Sequence, residues 1–376
     1  MIDCSEFYSL LKANNVSFFT GVPDSLLKDF CAYVSDHTDS KDHIIAANEG
    51  AAVGLAVGYH LATGKIPLVY MQNSGLGNTI NPLMSLADKE VYSIPMILMI
   101  GWRGEPGVKD EPQHIKQGRI QNDLLDAIET PYKILNSSVD NPEAFLADVL
   151  KMVDQEQAPV AIVVKKGSFA PYTLIKSENF GFELTREKAI EIILESLPED
   201  ALVVSTTGKT SREVFEYRVR NKQLHNRDFL TVGSMGHCSQ IAFGIALNTK
   251  KTVVCLDGDG AAIMHLGSLA IIGQNTPKNF VHIILNNGAH DSVGGQPTTG
   301  LDLNFPAIAE ACGYKHAKSI ATKGELQEVS NNTMQLSGPV FLEVKVNKGA
   351  RKDLGRPTST PIENKQALMQ EIQKAK

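Results

Sequence analysis

The feature that most limits how this chain can fold is a series of twelve short, β-rich apolar runs, six in each half, separated by stretches of helical period. In the first half they read VSFFTGV, HIIAA, IPLVYMQ, IPMILMIG, PYKIL and PVAIVV. In the second they read ALVVST, DFLTVG, TVVCLDG, FVHIILNN, KHAKSI and PVFLEVKV. Strands apolar on both faces and alternating with helices belong to βαβ units around parallel sheets. The expectation is an α/β protein with two domains, each a mainly parallel sheet flanked by helices.

A length of 376 residues agrees, being too long for one ordinary core. Between Lys165 and Glu183 the chain turns irregular, KKGSFAPYTLIKSENFGFE, and Thr185 then opens TREKAIEIILESL as a capped amphipathic helix. This places one domain at 1–167, a linker at 168–184 and a second domain at 185–376. The N-terminal MIDCSEFYSLLKANN has neither the basic region nor the apolar stretch of a signal peptide, and IPMILMIG is too short to span a bilayer, so a cytoplasmic protein is expected. A net charge of −6 gives no footprint for nucleic acid or an anionic membrane. Five cysteines without CxxC spacing argue against a disulfide frame or a zinc site.

In open parallel sheets ligands bind beyond the carboxyl ends of the strands. That is where the polar clusters TGVPDS, NEG, QNSGLGN, STTGKTS, GSMGH, GDG and NNGAHDS fall. Asp259 sits between Gly258 and Gly260, whose missing side chains allow a sharp turn and close approach by a ligand. A helix expected behind it, AAIMHLGSLAIIG, would offer free N–H groups to an anion. A carboxylate beside an anion site needs a cation between them, and Mg²⁺ suits, held by one or two protein oxygens plus phosphate. Asn287 and the carbonyl of Ala289 are candidates for further oxygens. The expected picture is a metal-bridged diphosphate, with Gly258, Gly260 and Ala261 against it.

Two other phosphate motifs fit poorly. A dinucleotide fingerprint wants an acidic residue at the end of the next strand, where this chain has asparagines. TTGKTS resembles the end of a P-loop, yet Val203 stands where the first glycine belongs. Thr207 in that loop stays a candidate phosphate contact.

The pattern GDG, 25 residues, NN resembles the binding motif of thiamine diphosphate (ThDP) enzymes. NEGAAVGLAVGYHLATG resembles that family's glutamate segment, QNSGLGNTINPLMSL its glycine-rich loop, with Asn73 and Gly75, and VGSMGHCSQIAFGIAL the loop with its apolar wedge. The resemblance implies ThDP and Mg²⁺ as cofactors, a pyrimidine-binding first domain and a diphosphate-binding second one. It also implies Met235 as the wedge within the Gly233–Gly236 turn. It further implies at least a homodimer, because in this family the two domains that share a cofactor come from different subunits. The cofactor's aminopyrimidine needs a carboxyl group to share a proton with a ring nitrogen, and Glu49, in a stretch of alanine, valine and glycine, is the candidate, with a pKa expected to be raised.

No middle domain is present, unlike the longer 2-oxoacid decarboxylases of the family. GVPDSLLKDF, IGWRGEPGVKDEPQHIKQGR, STTGKTSREVFEYR and NNGAHDSVGGQPT resemble the short branch that decarboxylates 3-phosphonopyruvate to phosphonoacetaldehyde in phosphonate biosynthesis. The branch acting on sulfopyruvate is the nearest alternative, and a carboligase or a non-catalytic regulatory subunit are others. A small-molecule phosphonate substrate needs cations, and Arg103 and Lys109 are the candidates for its contact. Asp24, Ser25 and His114 are candidates for handling the proton that replaces CO₂.

Overall fold

The computed structural model describes residues 1–176, 180–333 and 335–374. Residues 177–179 of the expected linker, and 334, 375 and 376 of the expected second domain, lie outside the described residues. All twelve apolar runs are strands. β1 (Phe19–Gly21), β2 (His43–Ile45), β3 (Leu68–Gln72), β4 (Met96–Gly101), β5 (Tyr132–Leu135) and β6 (Pro159–Val164) form one six-stranded sheet in the order β2-β1-β3-β4-β6-β5. β7 (Leu202–Ser205), β8 (Asp228–Leu230), β9 (Val253–Gly258), β10 (Phe280–Asn286), β11 (His316–Ile320) and β12 (Val340–Lys345) form the other, β11-β12-β10-β9-β7-β8. Counted from its own first strand, the second sheet repeats the order of the first. Every strand pairing is parallel.

The chain divides into two compact units, Met1–Ser177 with Ser292–Gln296, and Glu178–Asp291 with Pro297–Lys376. Within each, alternate strand residues feed separate cores on the two faces of the sheet. In β4, Ile97 and Met99 join Phe7, Phe19 and Phe30, whereas Met96, Leu98 and Ile100 pack with Ala52, Val53 and Leu83. In β9, Val254 and Leu256 face Ile190 and Val214, and Val253 and Cys255 face Phe243 and Phe341. Covering both faces with helices is what makes these runs continuously apolar. Removing one such side chain, Leu98→Ala for example, costs about 2–5 kcal/mol in transfer and cavity terms.

Thr185 caps the helix Arg186–Ser196, its hydroxyl accepting from Lys188 N–H, as the sequence leads one to expect. The single helix expected behind Asp259 is instead two, Asp259–Met264 and Ser268–Asn275. At His265 the backbone leaves helical angles, φ −132° and ψ 51°, and Gly267 starts the second helix. The break turns Leu269 and Ile272 onto the core that Ala262 also enters. All five cysteines are free thiols, four of them buried.

Candidate active site

In each sheet the direction of chain winding reverses beside its first strand, between β1 and β3 and between β7 and β9. A parallel sheet opens a crevice at such a point, beyond the carboxyl ends of the strands. The polar clusters lie at these two places.

At the first edge, β1 runs into Asp24 and Ser25, and β3 into Gln72 and Asn73. Asp24 is fully buried; Gln72 Nε2 donates to one carboxylate oxygen at 2.6 Å and Leu26 N–H to the other at 2.9 Å. Burial raises its pKa above the ordinary carboxylate value, against the lowering effect of these donors. Glu49 is the first residue of the helix Glu49–Thr63, whose cap is the Asn48 side chain accepting from Ala51 N–H. It is 5% exposed, and Asn78 Nδ2 donates to its Oε2 at 2.7 Å, which leaves Oε1. Gly75 is pressed against that carboxyl group: a Cβ there would fall 2.3 Å from Oε1, so only glycine fits. Asn73 is buried with its Nδ2 donating to the Arg103 carbonyl and its Oδ1 accepting from Arg103 N–H, so its side chain joins two loops.

The loop after β4 carries the expected basic residues. Arg103 donates from Nη1 to Ser25 Oγ at 2.6 Å and from Nε and Nη2 to Asp110. His114, buried in the first turn of the helix Pro112–Ala127, has Nδ1 2.9 Å from the same carboxylate. Lys109 is exposed. The structure thus joins Ser25, Arg103 and His114 through Asp110, a residue that the sequence reading passed over because it lies within a run of cations.

At the second edge, Gly258 precedes Asp259, the first residue of its short helix. Asp259 is 2% exposed, and Thr298 Oγ donates to its Oδ2. Burial pushes its carboxyl group up to about 6, although Thr298 and the N–H groups of Asp259, Asn287 and Gly260 pull the other way. None of these donors brings a positive charge. Asn287, at the end of β10, is buried with its Oδ1 accepting from Ala289 N–H at 3.0 Å. The Ala289 carbonyl accepts from Asp291 N–H at 2.9 Å, and its backbone bridges to Pro297. The two adjacent asparagines have different work. Asn286 donates to Glu343 Oε1 at 2.6 Å and to the Gly300 carbonyl at 2.8 Å, which fixes the returning arm of the loop. A side chain at Gly300 would strike Asp259, Cβ to Oδ2 2.5 Å.

Three neighbouring loops frame this edge. Thr207 Oγ donates to the Val232 carbonyl at 2.9 Å, linking the turn after β7 to the Gly233–Gly236 turn. Within that turn Ser234 and Gly236 take positive φ, 51° and 87°, and Met235 stands half-buried between them. His265 backs Gly236, where a Cβ would lie 2.5 Å from its ring. Arg186, 5% exposed, forks onto Glu213 and reaches Asp291 Oδ2 at 3.0 Å, with Lys209 Nζ 3.5 Å from the same oxygen. This buried anchor ties the Ala289 loop to the helix that follows Thr207.

Among the described residues, Cys255, Asp257 and His282 bring ligand-type atoms within 4.8 Å of one another in the interior. Each already has an internal partner: Cys238 Sγ lies 3.5 Å from Cys255 Sγ, and His282 bridges Tyr314 and Asp257. Asp257 accepts from Gly258 N–H, so the trio props the glycine turn from below.

The donor set suits a diphosphate held through a divalent cation. A buried carboxylate without a cationic partner, a nearby amide oxygen and two glycines backed by a helix start are hard oxygen ligands beside phosphate-type N–H donors. At the first edge the buried Glu49 carboxyl group has one oxygen not taken by Asn78, packed beside Gly75.

Comparison with known proteins agrees. Residues 6–130 match the model for the thiamine pyrophosphate enzyme, N-terminal TPP binding domain, and 206–344 that for the C-terminal TPP binding domain. The chain belongs to the thiamine pyrophosphate enzymes, and ThDP is their cofactor. More narrowly, it is 34% identical to the phosphonopyruvate decarboxylase of Streptomyces viridochromogenes, over 96% of this chain and 93% of the relative. It is 34% identical to that of Streptomyces hygroscopicus, over 96% and 92%. It is 28% identical to the sulfopyruvate decarboxylase of Methanosarcina acetivorans, over 90% of each. The chain is thus a ThDP-dependent decarboxylase, a carbon–carbon lyase. No helix among the described residues is long and apolar enough to cross a membrane.

Proposed function

We propose that the chain decarboxylates 3-phosphonopyruvate to phosphonoacetaldehyde and CO₂ with ThDP and Mg²⁺, in phosphonate biosynthesis. The observation that carries this is the 34% identity to two phosphonopyruvate decarboxylases over 96% of the chain, against 28% over 90% for the sulfopyruvate decarboxylase of Methanosarcina acetivorans; separate sulfopyruvate decarboxylase subunits reach 32–42%, but over only 33–51% of the chain. ThDP supplies an electron sink for the carbon that loses CO₂. Asp259, Asn287 and the Ala289 carbonyl would hold Mg²⁺, and Gly258, Gly260, Ala261 and Thr207 would line the diphosphate.

Glu49, its Oε2 held by Asn78, would turn Oε1 toward the cofactor's pyrimidine and share a proton with it. Gly75 and Asn73 would line the floor beside it, and Met235 with Gly233 and Gly236 would hold the cofactor on the other side. Arg103 and Lys109 meet the phosphonate. One proton must be added to the carbon as CO₂ departs, and Asp24, Ser25 and His114 stand at the edge that would deliver it. We infer further that the active form is at least a homodimer, the first domain of one copy completing the second domain of another.

The test is aldehyde release by the purified chain with ThDP and Mg²⁺, comparing 3-phosphonopyruvate, 3-sulfopyruvate and pyruvate. A kcat/KM at least about tenfold higher for phosphonopyruvate is expected, the worth of roughly 1.4 kcal/mol of selective contact. Preference for sulfopyruvate would move the enzyme to sulfonate chemistry. No turnover would leave a carboligase or a regulatory subunit.

A further inference from the structure

The loop after β4 is organised around an anion rather than around its cations. Asp110 accepts from Arg103 Nε at 2.8 Å and from Arg103 Nη2, from Gly104 N–H at 2.8 Å and from Glu111 N–H at 2.7 Å. His114 Nδ1 lies 2.9 Å away. The three side chains are 12%, 18% and 10% exposed. Burial alone would raise the carboxyl group; the hydrogen bonds from Arg103, His114 and the two amides outweigh it and hold its pKa below the ordinary value.

A carboxylate has about four lone-pair sites. Five donors fill them, so Asp110 has nothing left for a substrate or a proton in transit. What it can do is fix its partners. A carboxylate on Nδ1 assigns the hydrogen there and turns Nε2 into the ring atom that exchanges a proton with a ligand. Among the described residues no protein group bonds to that Nε2. Arg103 is gripped by a two-pronged contact from Asp110, its Nη1 donates to Ser25 Oγ at 2.6 Å, and Asn73 holds its backbone from both sides. The loop is also packed flat on its helix: a Cβ at Gly118 would lie 1.9 Å from the Gly104 carbonyl oxygen.

We propose that Asp110 is the positioning residue of this edge, locking His114 and Arg103 into one preformed unit that presents His114 Nε2 to the substrate carbon. The assignment rests on the decarboxylase reading. The balance is one C–C bond broken with release of CO₂ and one C–H bond formed. The proton comes from His114 Nε2, which water then recharges. Asp110 stays ionised throughout and acts only through its partners.

A double-mutant cycle decides it, using Asp110→Asn, His114→Gln and the pair, in the full chain loaded with ThDP and Mg²⁺. Hydrogen exchange over residues 103–118 is followed in the same proteins without substrate. His114→Gln is expected to lower kcat by at least about tenfold with KM moving less than about threefold; Asp110→Asn, which also frees Arg103, should lose as much kcat and raise KM, and the kcat of the pair should match that of His114→Gln within about twofold. Exchange should speed up over 103–112 in Asp110→Asn and stay unchanged in His114→Gln. Asp110→Glu, which keeps the charge, should recover part of the lost kcat and guards against a variant that fails to fold. Multiplying losses, or an unaltered kcat in Asp110→Asn, would overturn the proposal. If the unaltered chain turns over no 2-oxo acid, the decarboxylase reading fails by itself. The exchange data then decide the role of Asp110, unchanged protection in Asp110→Asn overturning it.

Discussion

The two units share one strand order but carry opposite chemistry at their carboxyl edges. In the first, the acids meet neutral or cationic donors: Asp24 takes Gln72, Glu49 takes Asn78 on one of its two oxygens, and the partly buried Asp110 takes Arg103. In the second, Asp259 is buried among neutral donors alone and its carboxyl group is pushed up to about 6. The same topology thus makes one edge whose acids hold amides and an arginine, and another where Asp259 has no cationic partner. The difference teaches that the sheet supplies only a place, and that the partners of each buried acid decide what the place binds.

That contrast can be broken first at Glu49. Glu49→Gln keeps the shape and the Asn78 contact but loses the shared proton, so turnover should fall by about 10²–10⁴-fold. ThDP affinity, measured by calorimetry, should stay within about threefold, since the metal edge is untouched. Retained turnover would remove the proton role.

Asp259→Ala attacks the opposite edge. Mg²⁺-dependent ThDP binding should weaken by about 10–100-fold, the range typical when a metal site loses supporting groups. A ThDP titration at several Mg²⁺ concentrations reads it, and an unchanged affinity would mean that the cation is held elsewhere.

The smallest effect sharpens the comparison through His43, in the first unit. Burial lowers its pKa from 6.5 to about 4, with its Nε2 2.9 Å from the Tyr70 hydroxyl. Because the folded value lies below the unfolded one, the unfolded chain binds more protons between these pH values. Stability is therefore full above about 6.5 and declines as pH falls toward 4. His43→Gln should flatten that part of the urea-unfolding pH profile, and an unchanged slope would show that other groups carry the acid response.

The strands, the polar loops at their carboxyl ends and the nearness of GDG to NN were legible because each depends on neighbours in sequence. A strand declares itself by continuous apolar residues, and a strand-end turn by glycines. Asp110 was hidden by the five basic residues around it; WRGEPGVKDEPQHIKQGR reads as a cationic loop, and only its folding shows the carboxylate at the centre. Thr298 and Glu343 gave no signal either, lying 39 residues from Asp259 and 57 from Asn286. The broken helix at His265 was unreadable for a related reason, since HLG carries no strong stop and the break is set by packing on the core.

The amino-acid sequence by itself determined the two α/β units, their twelve strands and the family-specific turns, because hydrophobic periodicity and backbone permission act over a few residues. Tertiary structure alone decided which acid meets a cation, which meets an amide and which meets only a hydroxyl and backbone N–H groups. Those choices turn on distances of about 3 Å between loops far apart in the chain, over which a hydrogen bond is either made or absent.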